Sequence, residues 1–501
     1  MSITESTAAS SGIDEVTAAH TYRHYINGQW TTAAGGATFD VRNPYNDALY
    51  ARAAAGTAAD ANVAVSAAHR AFSGWAAMSP EDRQALFLRA AAIVERRQDE
   101  LALILAEETG SSLAFARFQQ HVVINVLRQA AGWAHETKGE VLAAGDQSTL
   151  SIAVRRPLGV VVDFTPWNGA NVLVWRSVAQ TIAAGNTIVV KPSEEAPISA
   201  GLVVAQVADE AGFPPGVINV VTHAPGDAGP IADVFFDRPE VRCVYFIGSV
   251  RTGRMLAERA GRTLKRSVME LGGYNPILIT ADADLDEAVR IANYSAFFHQ
   301  GQICLNARKV LVERPLYEEF VSRLAQRAAN LPQGDPMDPQ TVIGPLINDR
   351  AVAVMQERIA DAVDKGAKIV TGGSHQGRVH EPTILTDVPD DAIASYEETF
   401  GPLLVVQPVD SAEEGVDVIN RSLYGLTASV LSGDAYRGLQ LARNIKSGMV
   451  HVNSPTVEDS MEAPIGGVRD SGWGRHGAHA REDLTDLIWI NVRNTPVELP
   501  I

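Results

Sequence analysis

The chain has 501 residues, 46% of them hydrophobic, with 42 basic and 59 acidic side chains and a formal net charge of -17. This length predicts about two to four domains with sizeable cores, and the acidic balance disfavours nonspecific binding to nucleic acid or an anionic membrane. Two cysteines cannot form a disulfide framework, no charged and apolar secretory signal opens the chain, and no apolar run approaches the ~18 to 20 residues of a membrane span, so a cytoplasmic protein is expected.

Residues 1–21 are polar and small and read as a disordered tail, with folded structure expected from about Tyr22. Tyr25-Ile26-Asn27-Gly28-Gln29-Trp30 alternates around an Asn-Gly pair, the signature of a short hairpin. Ala64, Ala68, Ala71, Phe72 and Trp75 recur at helical spacing, and Ser79 caps a second helix with Pro80 at its first position and Glu81 and Asp82 in its first turn. Helical pattern continues to Glu108 and stops near Gly110, and a further helix is expected from Ser112 to Thr137. From Val154 the texture changes. Short β-branched runs at Gly159 to Val162, Thr187 to Val190, Gly216 to Val221 and Val241 to Ile247 alternate with Ala-rich helical segments, a βαβ pattern that predicts an α/β fold with a parallel sheet. A second series runs through Pro276 to Ile279, Lys309 to Val312, Lys368 to Val370 and Leu403 to Val406. A boundary is expected near Leu271, with a cleft between the two α/β regions as the natural site.

Candidate chemistry gathers around Cys304, which sits in the turn-like stretch Gly301-Gln302-Ile303-Cys304-Leu305-Asn306. Upstream, Glu270 lies between apolar residues and Gly272-Gly273, where burial would raise its pKa toward the range of a general base. The side-chain amide of Asn168, in Thr165-Pro166-Trp167-Asn168, could donate to a developing oxyanion. Thiol, acid and amide together make a set for covalent catalysis. Taken singly, each has an ordinary reading: a small buried hydrophobe, a helix-end acid and a turn former. Cys243, inside the apolar run Val241 to Ile247, reads as core. Gly248-Ser249-Val250-Arg251-Thr252-Gly253 follows a strand and opens a helix, so its amides could hold a pyrophosphate, although a strand-turn-helix glycine alone is a weak signal.

With these residues in view, the sequence resembles the aldehyde dehydrogenase superfamily over essentially its whole folded length. The resemblance rests on separated motifs in the family's order: Pro166-Trp167-Asn168, Lys191-Pro192-Ser193-Glu194, Phe246-Ile247-Gly248-Ser249, Glu270-Leu271-Gly272-Gly273, Gly301-Gln302-Ile303-Cys304, Glu397-Glu398-Thr399-Phe400-Gly401-Pro402 and Pro464-Ile465-Gly466-Gly467. It implies a Rossmann-like cofactor domain from 22–146 and 157–270, a catalytic domain over 271–480, and a small β oligomerisation element from 147–156 and 481–501. A homodimer or homotetramer is the implied assembly, since Gln147 to Arg156 and Leu487 to Val492 are more apolar than an exposed edge tolerates. An internal pair of strands is the plainer alternative.

The resemblance also implies a nicotinamide cofactor and no metal. Ser249 would contact the pyrophosphate, Lys191 and Glu194 the adenosine ribose, and Glu398 and Phe400 the nicotinamide ribose and ring. Thr165, Pro166, Trp167, Ser193, Gly248, Leu271 and Gly272 complete the implied cofactor site. A carboxylate at Glu194 would repel a 2′-phosphate, which favours NAD over NADP, while the nearby Lys191 leaves NADP possible. Cys304 is implied as nucleophile, Asn168 as oxyanion donor and Glu270 as the base that hydrolyses the thioester. Within the superfamily, His451 to Asp459, Gly472 to Gly477, Phe297 to Gln302 and Arg155 to Gly159 look most like the vanillin, benzaldehyde and salicylaldehyde dehydrogenase branch. An aromatic aldehyde is therefore the expected substrate, in a pocket that includes Gly169, Arg176, Ile303, Leu305, Val457 and Ile465. Three positions depart from that branch: Gly169-Ala170 follows Asn168 where a bulkier pair is usual, Ile465 replaces a Phe, and Arg469 replaces a Lys. Arg176 could pair with a substrate carboxylate, as in semialdehyde oxidation, or form a salt bridge at a helix surface. A noncatalytic binding or structural protein of the same fold is the alternative of a different class.

Overall fold

The computed structural model describes residues 13–14, 20–136, 138–145, 148–458, 460–496 and 499. Most of the expected N-terminal tail, together with Thr137 and Gln147, lies outside them. Ordered structure begins earlier than Tyr22: His20–Tyr22 runs parallel to Leu49–Ala54 and pairs with Ile13–Asp14.

Two α/β units carry the chain, as the alternation of β-branched runs and Ala-rich helices predicts. The first is an eight-stranded sheet in the order Gly472–Trp473, Arg266–Leu271, Val241–Gly248, Val160–Thr165, Thr187–Pro192, Ile218–Val220, His24–Ile26, Gln29–Thr31. Its five central strands are parallel. Val160–Thr165 and Thr187–Pro192 are buried at every position, because helices cover both faces. The period of two decides which side each residue feeds. Val161, Ile188 and Val190 join the core beneath helices Pro80–Thr109, Leu113–Trp133 and Ala170–Ala183, while Val160, Val162 and Val189 face helices Ala58–Ala77 and Ala228–Asp237.

Local signals behave as their chemistry dictates. The hairpin between His24–Ile26 and Gln29–Thr31 turns on Asn27 and Gly28, at φ 54° and 74°, as its two-residue primed turn requires. Ser79 accepts from the Asp82 amide with Pro80 inside the first turn, and that helix stops at Gly110 in the left-handed region. The helix after Ser112 ends at Trp133, short of the expected Thr137.

The second unit is a seven-stranded sheet ordered Lys368–Thr371, Thr383–Thr386, Leu403–Val409, Lys309–Glu313, Ile277–Ile279, Thr427–Leu431, Met449–Val452. Lys368–Thr371, expected in the parallel series, instead runs antiparallel to Thr383–Thr386, an edge strand reached by a short excursion rather than a helical crossover. Gly472–Trp473, expected within the second unit, completes the edge of the first sheet beside Arg266–Leu271, where the Trp473 indole N–H donates to the Ser267 carbonyl.

Thr149–Pro157 pairs antiparallel with Thr485–Arg493 and with Gly139–Leu142. The two apolar segments thus pair with each other, yet the ribbon leaves Leu150, Leu487, Trp489 and Val492 at least half exposed. Among the described residues, no helix is long and apolar enough to cross a membrane.

Candidate active site

The turn that carries Cys304 follows helix Leu285–Phe297 and is wound tightly. His299, Gln300 and Gly301 are consecutive left-handed residues, at φ 52°, 43° and 70°. For the two non-glycines this conformation costs on the order of 1 kcal/mol each and persists only where the surroundings hold it. Gln300 does so: its Nε2 donates to the carbonyls of Gly110 and Pro345 at 3.1 and 3.0 Å, which ties the turn to the end of helix Pro80–Thr109. His299 is buried and stacks on Phe115 with ring centres 4.2 Å apart. At Gly301 a Cβ would lie 2.2 Å from the Gly401 carbonyl oxygen, so only glycine fits.

Beyond the turn, the backbone is pinned by side-chain donors. Asn275 Nδ2 donates to the carbonyls of Cys304 and Asn306 at 2.5 and 2.8 Å. The buried Arg308 guanidinium donates to Gly301 and Gly401 carbonyls at 2.7 and 3.1 Å, and the Ile303 amide donates to Asn306 Oδ1 at 2.6 Å. These bonds fix the loop and leave the Cys304 thiol at the wall of a cavity.

That cavity measures about 590 Å³, and Asn168, Glu270 and Cys304 all line it. Asn168 leaves the end of Val160–Thr165 just before helix Ala170–Ala183, and Glu270 lies near the end of Arg266–Leu271, so the sheet's C-terminal edge delivers both. Gly169, Arg176, Ile303, Leu305, Val457 and Ile465 line the same cavity, as expected of the pocket. Arg176 corrects one expectation: it is buried rather than at a helix surface, because helix Ala170–Ala183 packs its face against the core.

Burial pushes the Glu270 carboxyl up to about 8, against the opposing charges of Arg475 and Arg176. Its Oε1 has no hydrogen-bond partner, and the nearest basic group is His476, with Nε2 at 3.9 Å. His476 is held neutral by burial, and its Nδ1 lies 3.1 Å from the Tyr245 hydroxyl. The Cys304 thiol keeps some surface in the cavity. Protein around it nonetheless pushes it up to about 12, helped by the charges of Glu398 and Glu270 and opposed by Arg176. Cys243 is wholly buried within the first sheet.

At the C-terminal ends of neighbouring strands in the same sheet lie residues implied for a dinucleotide. Ser249 caps helix Val250–Arg262 by accepting from the Thr252 amide, which leaves a helix N-terminus suited to a pyrophosphate. Lys191 is buried, not surface-exposed, and burial pulls its ammonium down to about 8. Its Nζ lies 2.6 Å from His223 Nε2; with His223 Nδ1 placed to donate to the Ala224 carbonyl, Nε2 is the acceptor. Glu194 stays partly exposed, 3.8 Å from the same imidazole. The half-buried Glu398 accepts from the Gly273 amide, and a Cβ on Gly272 would lie 2.0 Å from its Oε2. Trp167 meets Phe400 edge-on at 5.6 Å. Thr165 and Ser193 turn their hydroxyls to the backbone, at the Ala200 carbonyl and the Glu195 amide. Pro166 leads into Trp167, and Gly248 and Leu271 end adjacent strands. An anion-ready helix end, a buried cation beside a carboxylate, and a glycine-cleared carboxylate fit a nicotinamide dinucleotide.

His476, Tyr245, His223, Gln300, Asn275 and Arg308 were not expected at the site. His476 and Gln300 lie in the Gly472 to Gly477 and Phe297 to Gln302 stretches that carry the resemblance, but nothing in either stretch points to these contacts.

Residues 30–490 match the family model described as the aldehyde dehydrogenase family. The chain is 39% identical to a vanillin dehydrogenase of Pseudomonas fluorescens, over 95% of this chain and 98% of the relative. It is 34% identical to a benzaldehyde dehydrogenase of Bacillus subtilis, covering 95% and 98%. Among solved structures, it resembles a salicylaldehyde dehydrogenase from Pseudomonas putida G7 complexed with salicylaldehyde, at a TM-score of 0.94 and 34% identity, with 96% of this chain and 100% of the other covered.

Proposed function

The chain belongs to the aldehyde dehydrogenase family and is an enzyme of that class, and on that premise we propose that it oxidises an aromatic aldehyde to the carboxylic acid through a thioester on Cys304. The convergence of Asn168, Glu270 and Cys304 on one apolar-walled cavity supports this reading.

In the proposed sequence, the Cys304 thiol, partly exposed in the cavity, gives up its proton to solvent and its sulfur adds to the aldehyde carbon. The oxyanion that forms takes a hydrogen bond from the Asn168 amide and from the Cys304 backbone N–H. A bound nicotinamide would supply the hydride acceptor for this carbon. Lys191, Glu194, Ser249, Glu398 and Phe400 are the residues that would hold that cofactor. The Cys304 thioester is then hydrolysed by a water whose proton passes to Glu270 Oε1, the oxygen without a hydrogen-bond partner. Sulfur leaves as the thiolate, and the carboxylic acid departs. Glu194 favours NAD over NADP, because its partly exposed carboxylate would repel a 2′-phosphate.

The first sheet is proposed to carry the cofactor, the second to carry the Cys304 loop, and the three-stranded ribbon to join copies into a cytoplasmic homodimer or homotetramer. The relatives named for vanillin, benzaldehyde and salicylaldehyde favour an aryl substrate, as do the apolar residues Ile303, Leu305, Val457 and Ile465. The test is kcat/KM for substituted benzaldehydes, succinic semialdehyde and acetaldehyde, followed by reduced-cofactor absorbance. Benzaldehydes should lead. A wild-type preference for the semialdehyde that Arg176→Ala removes selectively would overturn the aromatic assignment.

A further inference from the structure

The cavity is larger than one substituted ring needs. At about 590 Å³ it falls in the middle of the range of pockets that hold drug-sized ligands, whereas benzaldehyde has only eight non-hydrogen atoms. Of the residues implied for the cofactor, Leu271 reaches its wall while Lys191, Ser249, Glu398 and Phe400 do not, so most of the lining belongs to the substrate side. At the inner end, Gly169 offers no side chain beside Asn168, and a Cβ there would come within 3.1 Å of Leu173 Cδ1.

The solvent end is aromatic. Phe118 and Tyr294 line the cavity while remaining 40% and 38% exposed, which places them at its mouth. They come from two helices, Leu113–Trp133 and Leu285–Phe297, and Phe298 bridges them: it stacks on Tyr294 at 4.7 Å and meets Phe118 at 6.1 Å and Phe115 at 5.0 Å, both edge-on. Such a cluster presents ring faces and edges in the orientations aromatic pairs prefer. Val172, Leu173 and Ile465 add apolar surface to the wall of the same cavity that Cys304 lines. Glu458 also lines the cavity, and its charge bears on Tyr294, so an anionic group on the distal end of a substrate would meet a carboxylate.

Resting on the aromatic-aldehyde reading above, we propose that the preferred substrates are uncharged aldehydes with two linked aromatic rings, the first held against Val172, Leu173 and Ile465 and the second in the collar of Phe115, Phe118 and Tyr294. Burying a second ring against exposed aromatic faces adds binding that a single-ring substrate leaves unused. One methylene in an apolar pocket already discriminates by about tenfold or more, and a ring offers more surface than a methylene.

The experiment compares kcat/KM for benzaldehyde, 4-phenylbenzaldehyde and 4-benzyloxybenzaldehyde in the wild type and in Phe118→Ala, Phe118→Leu and Tyr294→Ala. A two-ring aldehyde should exceed benzaldehyde by at least about tenfold, chiefly through KM. Both alanine variants should lower the two-ring value several-fold more than the benzaldehyde value, with Phe118→Leu intermediate. Turnover of benzaldehyde by each variant reports that it has folded. Two-ring aldehydes no better than benzaldehyde in the wild type, or variants that depress both substrates equally, would overturn the proposal while leaving aromatic-aldehyde oxidation intact. If no aryl aldehyde is oxidised while aliphatic ones are, the underlying reading fails instead.

Discussion

Thioester hydrolysis should climb with pH through the Glu270 titration. Burial holds this carboxyl at about 8, and only its ionised form can accept a proton from water. With a pKa of about 8, roughly a tenth of the enzyme carries the carboxylate at pH 7 and roughly nine tenths at pH 9, so hydrolysis should rise about tenfold over that span. Glu270→Gln removes the base and should slow hydrolysis by about 10²- to 10⁴-fold. It should spare the first turnover, leaving an initial burst of reduced cofactor close to one equivalent per active site. Stopped-flow measurement of burst and steady phases across this pH range separates the two steps. A flat wild-type profile would refute the assignment of the general base. Equal loss of burst and steady phases in Glu270→Gln would show instead that Glu270 acts on Cys304.

Asn168→Ala should lower the acylation rate by about 10²- to 10³-fold through loss of an oxyanion donor; a change confined to KM would contradict that role. Glu108 is fully buried, with Oε1 and Oε2 accepting the amides of Ile198 and Ser199 at 2.8 and 2.6 Å, and Glu108→Ala should destabilise the fold by about 2 to 4 kcal/mol by orphaning both donors. Burial raises its pKa to about 7, so the folded state binds this proton more tightly than the unfolded chain does. Its contribution is therefore full in acid and is lost as pH rises through about 7: the Tm gap between wild type and Glu108→Gln should narrow between pH 6 and pH 9, and a widening gap would refute the linkage. Trp489→Glu places a charge on the exposed apolar face of Thr485–Arg493 and should yield a smaller species in sedimentation; an unchanged assembly would exclude that face as the interface.

Much of the architecture is legible in local chemistry. Asn27-Gly28 specifies its turn, Ser79-Pro80 its helix start, and fully apolar runs such as Val160-Val161-Val162 announce strands buried on both faces. Asn168, Glu270 and Cys304 are readable as a set because each reactive type sits in its own turn or strand-end context. What stays hidden depends on separations of hundreds of residues and on side-chain direction. Nothing near His476 shows that it approaches Glu270, or near Gln300 that its amide reaches Gly110 to hold a left-handed turn. Arg176 reads equally well as a surface charge until the helix is docked. The collar is likewise set by tertiary packing, formed where Phe115 and Phe118 of one helix meet Tyr294 of another and Phe298 just past its end.

The most direct test of covalent catalysis is to trap the acyl group. Glu270→Gln, mixed with NAD and 4-hydroxybenzaldehyde and quenched in acid, should carry one 4-hydroxybenzoyl group per active site. Peptide mass mapping should place it on the fragment containing Cys304 and leave Cys243 unmodified. An unmodified Cys304 despite a full burst of reduced cofactor, or an acyl group on another residue, would contradict Cys304 as the nucleophile.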